Sequence, residues 1–189
     1  MRSPVYRDVE EAMLEKVYHY LLENGLDHFS MREFCKSTGI SMGSTYYWFE
    51  NKEQMIAEAA EYGLSKLAER IFGYVFTQMD QLDEFFANIL EQMEYAKPQF
   101  RLLARLATSP VYGARIKQAA TLLDASYVKY ISMFAEQAGC DAEEVAPLVY
   151  LCVSVLVDYA IWEDKEVSQM QCDYICKQLK KICVGKKEQ

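Results

Sequence analysis

The sequence predicts an all-α protein of about nine helices: a small three-helix unit of helix-turn-helix type at the N-terminus, then a larger helical body. Three observations carry this expectation. Apolar residues recur at helical spacing along almost the whole chain, and no segment alternates as a strand would. Helix start and stop signals punctuate that pattern, among them Ser30 with Glu33, Gly39, Ser41, Asn51, Pro98, Pro110 and Gly139. Residues 30–52, SMREFCKSTGISMGSTYYWFENK, read as a helix, a glycine turn, a short second helix and a lysine opening the next. That order of parts places a helix in the major groove of DNA.

The elements follow in order. The first helix runs from about Tyr6 to Glu23, with Met13, Val17, Tyr20 and Leu21 on one face and Gly25 closing it. Ser30 and Glu33 form a capping box for the second, and Phe29 and Phe34 sit where a hydrophobic staple would fix the incoming chain. Met31, Phe34 and Cys35 give this helix an apolar face, while Arg32 and Lys36, four apart on another face, are free to meet phosphates. Gly39 stops it where a left-handed residue is usually needed. Ser41 caps a short third helix to about Phe49, which exposes Ser44, Thr45, Tyr46, Tyr47 and Trp48 within two turns. Asn51 caps the fourth, whose first residue, Lys52, makes the helix start an anion site suited to a phosphate. The fourth helix continues to about Phe76 with a stripe of Ile56, Ala60, Leu64, Leu67, Ile71 and Val75. The fifth spans about Leu82 to Ala96, the sixth Pro98 to Thr108, the seventh Pro110 to Ala138, the eighth Asp141 to Asp164 and the ninth Glu166 to Val184. The expected division is residues 1–52 for DNA binding and 53–189 for effector binding and dimerisation.

The segment GISMGSTYYWFENKEQMI resembles the signature of the tetracycline-repressor (TetR) family: Gly, an aliphatic residue, Ser-x-Gly-x-x-Tyr-x-aromatic-Phe-x-x-Lys-Glu-x-Leu/Met. Gly39, Ile40, Ser41, Gly43, Tyr46, Trp48, Phe49, Lys52, Glu53 and Met55 occupy those positions. The match covers the N-terminal quarter directly. It implies a base or phosphate contact for Arg32. It puts Met42, Gly43 and Ser44 at the leading edge of the recognition helix, with Thr45 following. Tyr46, Tyr47 and Trp48 match positions that touch the sugar–phosphate backbone or a thymine methyl, and Lys52 matches the phosphate-binding lysine. Phe49 is expected in the core, and Ser41 is a cap before it is a phosphate ligand. Met42 replaces what is often a polar or basic residue, and Trp48 is bulkier than the usual Tyr or His.

Charge complicates this reading. Lys and Arg number 20 against 28 Asp and Glu, for a net charge of −8, whereas non-specific DNA affinity comes largely from phosphate neutralisation. Arg32, Lys36 and Lys52 are therefore expected to gather on one face with the acids turned elsewhere. The start, MRSPVYRDVEEAM, lacks an apolar signal region. The most apolar stretch, Val145 to Trp162, is interrupted by Asp158 and carries Pro147 and Ser154; it reads as too polar and too short to span a membrane. A soluble cytoplasmic protein with its six cysteines reduced is expected.

The eighth helix is apolar nearly all round and must be covered on every face. The ninth carries Cys172, Ile175, Cys176, Leu179, Ile182 and Cys183 in one stripe. Together, about 141–164 and 166–184, they are expected to form a homodimer interface, as the TetR resemblance also implies, and a two-fold dimer places two recognition helices about 34 Å apart. The resemblance further implies a small-molecule pocket among the middle helices. Its candidates are Phe85, Phe86, Ile89, Met93, Phe100, Leu103, Tyr112, Tyr127, Tyr130, Phe134, Tyr150 and Trp162. Asp158 reads as a hydrogen-bonded structural acid near the dimer seam before it reads as a counter-charge for a cationic ligand. The cysteines of the ninth helix read as small apolar residues before a thiol switch, and no histidine joins them for a metal.

No metal or cofactor is expected, and no nucleophile–base set or phosphate loop suggests an enzyme. The expected function is a DNA-binding regulator on a palindromic operator, a repressor released by a small apolar or aromatic effector. The alternative is a helical protein-interaction adaptor that has lost DNA binding.

Overall fold

The computed structural model describes the backbone of residues 4–77 and 81–184 and the side chains of 8–71, 81–119 and 127–183. Among these residues every regular element is a helix and there is no strand. The helices are α1 (Pro4–Asn24), α2 (Met31–Thr38), α3 (Met42–Trp48), α4 (Lys52–Thr77), α5 (Leu82–Gln92), α6 (Lys97–Thr108), α7 (Gly113–Ala138), α8 (Ala142–Trp162) and α9 (Lys165–Val184). A 3-10 turn at Glu94–Ala96 joins α5 to α6, where the sequence suggested one continuous fifth helix. α7 starts at Gly113 rather than Pro110. The Ser109 hydroxyl accepts from the amides of Val111 at 3.2 Å and Tyr112 at 3.4 Å, and holds those residues in a turn.

The chain divides into two compact units, residues 1–67 with 102–120, and residues 68–101 with 121–189. The core of the first unit is built on Val17 and Leu21 of α1, Phe34 of α2, Phe49, and Met55 and Ile56 of α4. Leu102 and Leu106 of α6, with Tyr112 and Ile116, complete it. Three rings seal its centre: Tyr20 meets Phe29 and Phe34 edge-on, with centroids 5.4 and 5.5 Å away. On its surface cations pair with acids: Lys66 with Glu11 at 3.0 Å, Arg105 with Asp27, and Arg115 with Glu61 through two nitrogens.

In the second unit α9 packs against both α8 and α5. The Gln169 amide on α9 donates to the Phe86 carbonyl of α5 at 2.8 Å. The C-terminal end of α8 is closed by Glu163 in the left-handed region, φ 56°. The Arg101 guanidinium donates to the Ala160 carbonyl and pairs with Glu163, a cation on the negative end of the helix. The Tyr159 hydroxyl donates to Glu94 at 2.6 Å, and Lys97 lies 4.2 Å above the same ring.

α8 corrects one expectation. It extends three residues before Val145 to a length of 21, and by length and apolar composition it could cross a membrane. Only 28% of that apolar window is buried within the chain.

Gly63 of α4 lies against the ring of Tyr18 on α1, where an added Cβ would come within 2.1 Å of a ring carbon. Burial of that ring also pushes the Tyr18 hydroxyl pKa above its ordinary value. Gly to Ala in a helix interior normally gains about 1 kcal/mol. Here the overpacking cost, on the order of 1–3 kcal/mol, outweighs it. Gly63→Ala is expected to lower the urea midpoint, and a raised midpoint would refute this account of the α1–α4 contact.

Candidate nucleic-acid interface and effector cavity

α2 and α3 are shaped by their caps. The Ser30 side chain accepts from the Glu33 amide at 3.4 Å, and Phe29 stacks on Phe34 with centroids 5.9 Å apart, so the staple forms. Gly39 takes φ 70°, a conformation that an L side chain strains to adopt. The Ser41 hydroxyl accepts from the Ser44 amide at 2.9 Å and opens α3. At the start of α4, Asn51 accepts from the Gln54 amide at 2.7 Å, and the Gln54 side chain accepts from the Glu50 amide, also at 2.7 Å. The Gln54 return contact completes a box of which the sequence reading saw only Asn51; an Asn followed three positions later by Gln was its signal.

These caps present a mixed surface. Arg32, Lys36, Ser41, Met42, Gly43 and Ser44 are exposed, Tyr46 is 53% exposed and Tyr47 70%. Lys52 is half-buried. Trp48 is half-buried against the core, edge-on to Tyr47 at 5.5 Å, and Phe49 is buried as expected. Thr45 departs from its expected outward place. It is fully buried, and its hydroxyl donates to the Ser41 carbonyl at 3.1 Å and lies 3.4 Å from the Cys35 thiol. One helical turn beyond the cap, it faces α2 rather than solvent. Arg32, Lys36 and Lys52 have no carboxylate partner among the described residues, unlike Lys66, Arg105 and Arg115 of the same unit.

The second unit encloses an apolar cavity of about 60 Å³. Phe86, Met93, Tyr130 and Phe134 line it, together with Phe85, Ile89, Cys152 and Leu156. Other candidates lie elsewhere. Phe100 is buried outside this lining, Tyr112 belongs to the core of the first unit and Leu103 packs against that core. Tyr127 and Tyr150 stack on each other, centroids 5.6 Å apart. Trp162, at the end of α8, is 73% exposed.

α8 exposes Leu151, Ser154, Asp158 and Ile161, which share one helical face, and Asp158 therefore lies in solvent rather than in the core. The back of α9 is not purely polar, since Val167, Met170 and Tyr174 are exposed there. No group of three or more metal-ligating side chains occurs among the described residues.

Two solved structures resemble this one. A candidate transcriptional regulator from Pseudomonas aeruginosa PAO1 superposes with a TM-score of 0.57 at 16% identity, over 97% of this chain and 93% of that one. A candidate transcriptional regulator of the TetR/AcrR family superposes with a TM-score of 0.51 at 15% identity, over 93% of this chain and 99% of that one. The chain thus has the all-α fold of TetR/AcrR-type regulator structures. No protein-family model matches the sequence. No curated protein matches it at a significant level.

Ser41→Ala removes the cap of α3 and is expected to cost about 1 kcal/mol of stability. Tyr47→Ala, at an exposed position, is expected to stay within roughly 0.5 kcal/mol of the parent. Thermal denaturation of both variants separates the cap from the exposed ring, and equal losses would contradict the assignment.

Proposed function

We propose that this chain is a homodimeric, sequence-specific DNA-binding transcriptional regulator, a repressor released by a small apolar or aromatic ligand. The observation that carries the reading is the α2–turn–α3 unit. Its capped second helix exposes Met42, Tyr46 and Tyr47, Arg32 and Lys36 on α2 are exposed as well, and Lys52 at the start of α4 is half-buried. Two phenol rings held outward side by side suit a partner's surface, and cations without carboxylates suit phosphates. At Gly43 an added Cβ would have only the Ser41 hydroxyl oxygen, at 3.8 Å, within 4 Å, so the backbone is open to close approach by a duplex.

The chemistry of α3 narrows what it could read. From Met42 to Trp48 it carries no charge and no amide side chain. The bidentate contacts that Arg makes to guanine and that Asn or Gln makes to adenine are therefore missing from this helix. What it offers is a thioether, two exposed phenol rings and the Ser44 hydroxyl. Apolar contact with a thymine methyl is the direct readout such a set supports.

A second copy of the chain is the partner that best covers the apolar residues exposed on α8 and α9. It also supplies the second recognition helix that a palindrome requires. The cavity is the place for an effector. At about 60 Å³ it is smaller than the roughly 300 Å³ of the smallest usual ligand sites. A ligand that fills it would select a more open state of the second unit, and α4 and α7 run from that unit into the DNA-binding one.

The test is fluorescence anisotropy of the purified protein on duplexes flanking its own gene, across a salt series. Three cations per protomer in a dimer give a slope of log K against log salt of about −5, and Lys52→Ala reduces it to roughly −3.5. If no duplex binds at low salt and the Lys52→Ala protein behaves identically, the acidic chain is better read as a protein-interaction adaptor.

A bound half-site is expected to be rich in A·T pairs under α3. Replacing its thymines by deoxyuracil removes only the methyl groups, and is expected to weaken binding at least threefold per contacted base. Unchanged affinity on the uracil duplex would show that α3 reads its site by other means.

A further inference from the structure

Two thiols meet where the α7–α8 corner touches the end of α9. Gly139 closes α7 with φ 68°. The Cys140 amide then donates back to the Ala135 carbonyl at 2.9 Å, and Asp141 caps α8. This turn places the Cys140 sulfur 3.3 Å from that of Cys183, in the last described turn of α9. Cys183 is 9% exposed and Cys140 is half-buried, so a small oxidant reaches Cys140 first and finds the second thiol directly behind it.

We propose that Cys140 and Cys183 are a peroxide-oxidised pair that forms an intramolecular disulfide, tying the α7–α8 corner to the end of α9. The assignment rests on the geometry of the second unit and is independent of the DNA-binding reading.

The chemistry balances with one hydroperoxide. The Cys140 thiolate attacks a peroxide oxygen, an S–O bond forms, the O–O bond breaks and the departing hydroxide leaves as water. The Cys183 thiolate then attacks the sulfenic sulfur. The S–S bond forms, the S–O bond breaks and a second water leaves. Two thiols lose two electrons and two protons, and hydrogen peroxide becomes two waters. The sulfurs have to close from 3.3 Å to a bonded length of about 2.05 Å.

The other cysteines are poorly placed to compete. Burial pushes the thiols of Cys152 and Cys172 up to about 12, so their thiolates are scarce. Cys176 is buried with its sulfur 3.6 Å from the Leu82 carbonyl oxygen, and burial raises its pKa as well. Cys35 lies against Met42 and Thr45. The sequence reading grouped Cys172, Cys176 and Cys183 on one helix face, whereas the thiol within reach of Cys183 lies across a corner at Cys140.

The test treats the full chain with a few equivalents of hydrogen peroxide, alkylates it with N-ethylmaleimide in denaturant and maps the peptides. Four maleimide adducts instead of six, a peptide linking residues 140 and 183, and recovery of all six adducts after reduction are expected. Cys140→Ser, at the half-buried position, is expected to abolish the link. The parent protein gives the decisive map even if Cys183→Ser fails to fold. Six adducts after peroxide, a link between any other pair, or over-oxidised Cys140 beside a free Cys183 would overturn the proposal.

Discussion

What α3 presents to solvent depends on the burial of its other side. A helix of seven residues does not hold its shape alone in water. Here Thr45 is locked beneath it and Phe49 at its end, both almost without exposure, against the α1–α4 core that Phe34 and Ile56 fill. Two anchors four positions apart set the roll of the helix. Once that roll is set, Tyr46 and Tyr47 point outward, while the Met42 sulfur stays 3.4 Å from the Cys35 thiol. The buried hydroxyl of Thr45 is tolerable because it donates to the Ser41 carbonyl. The same serine caps the helix with its side chain, so one residue terminates the turn and serves the buried threonine.

Electrostatics works by local pairing rather than by total charge. A net charge of −8 argues against a nucleic-acid partner when taken as a sum. The structure divides that sum. Arg105 pairs with Asp27, Arg115 with Glu58 and Glu61, and Lys66 with Glu11, while Arg32, Lys36 and Lys52 have no carboxylate partner among the described residues. Exposed pairs of this kind add little to stability. Their larger consequence is to decide which cations are left for a polyanion.

Local signals were the legible ones. The cap of α2, the staple of Phe29 and Phe34, the left-handed Gly39, the caps at Ser41 and Asn51 and the core place of Phe49 all follow from residues within a few positions of one another. Thr45 was misplaced because its residue type is equally at home on a surface and only the roll of α3, a tertiary property, turns it inward. The addition of Leu102, Leu106 and Ile116 to the first core had no local signature, since their partners lie more than forty positions away. The aromatic residues of the body illustrate the same limit. Phe86 and Phe134 line the cavity and Phe100 does not, though all three are buried phenylalanines on amphipathic helices. The contact of Cys140 with Cys183 is likewise a product of the corner and not of either helix pattern.

α8 shows how one apolar helix can serve several surfaces. Val155 and Leu156 are buried, while Val149, Cys152 and Val153 join Leu156 along the cavity. Leu151, Ser154, Asp158 and Ile161 turn to solvent. A membrane-spanning helix would gain nothing from a carboxylate and a hydroxyl midway along its outward face. A helix that docks on a second copy of itself tolerates them at a two-fold seam, where a polar pair fixes register at some loss of stability. The exposed Leu151 and Ile161 of α8 and Val167, Met170 and Tyr174 of α9 fit the subunit contact of the proposed homodimer. Under the proposed homodimer, the composition that lets α8 pass for a membrane span would follow from covering a cavity on one side and a second copy on the other.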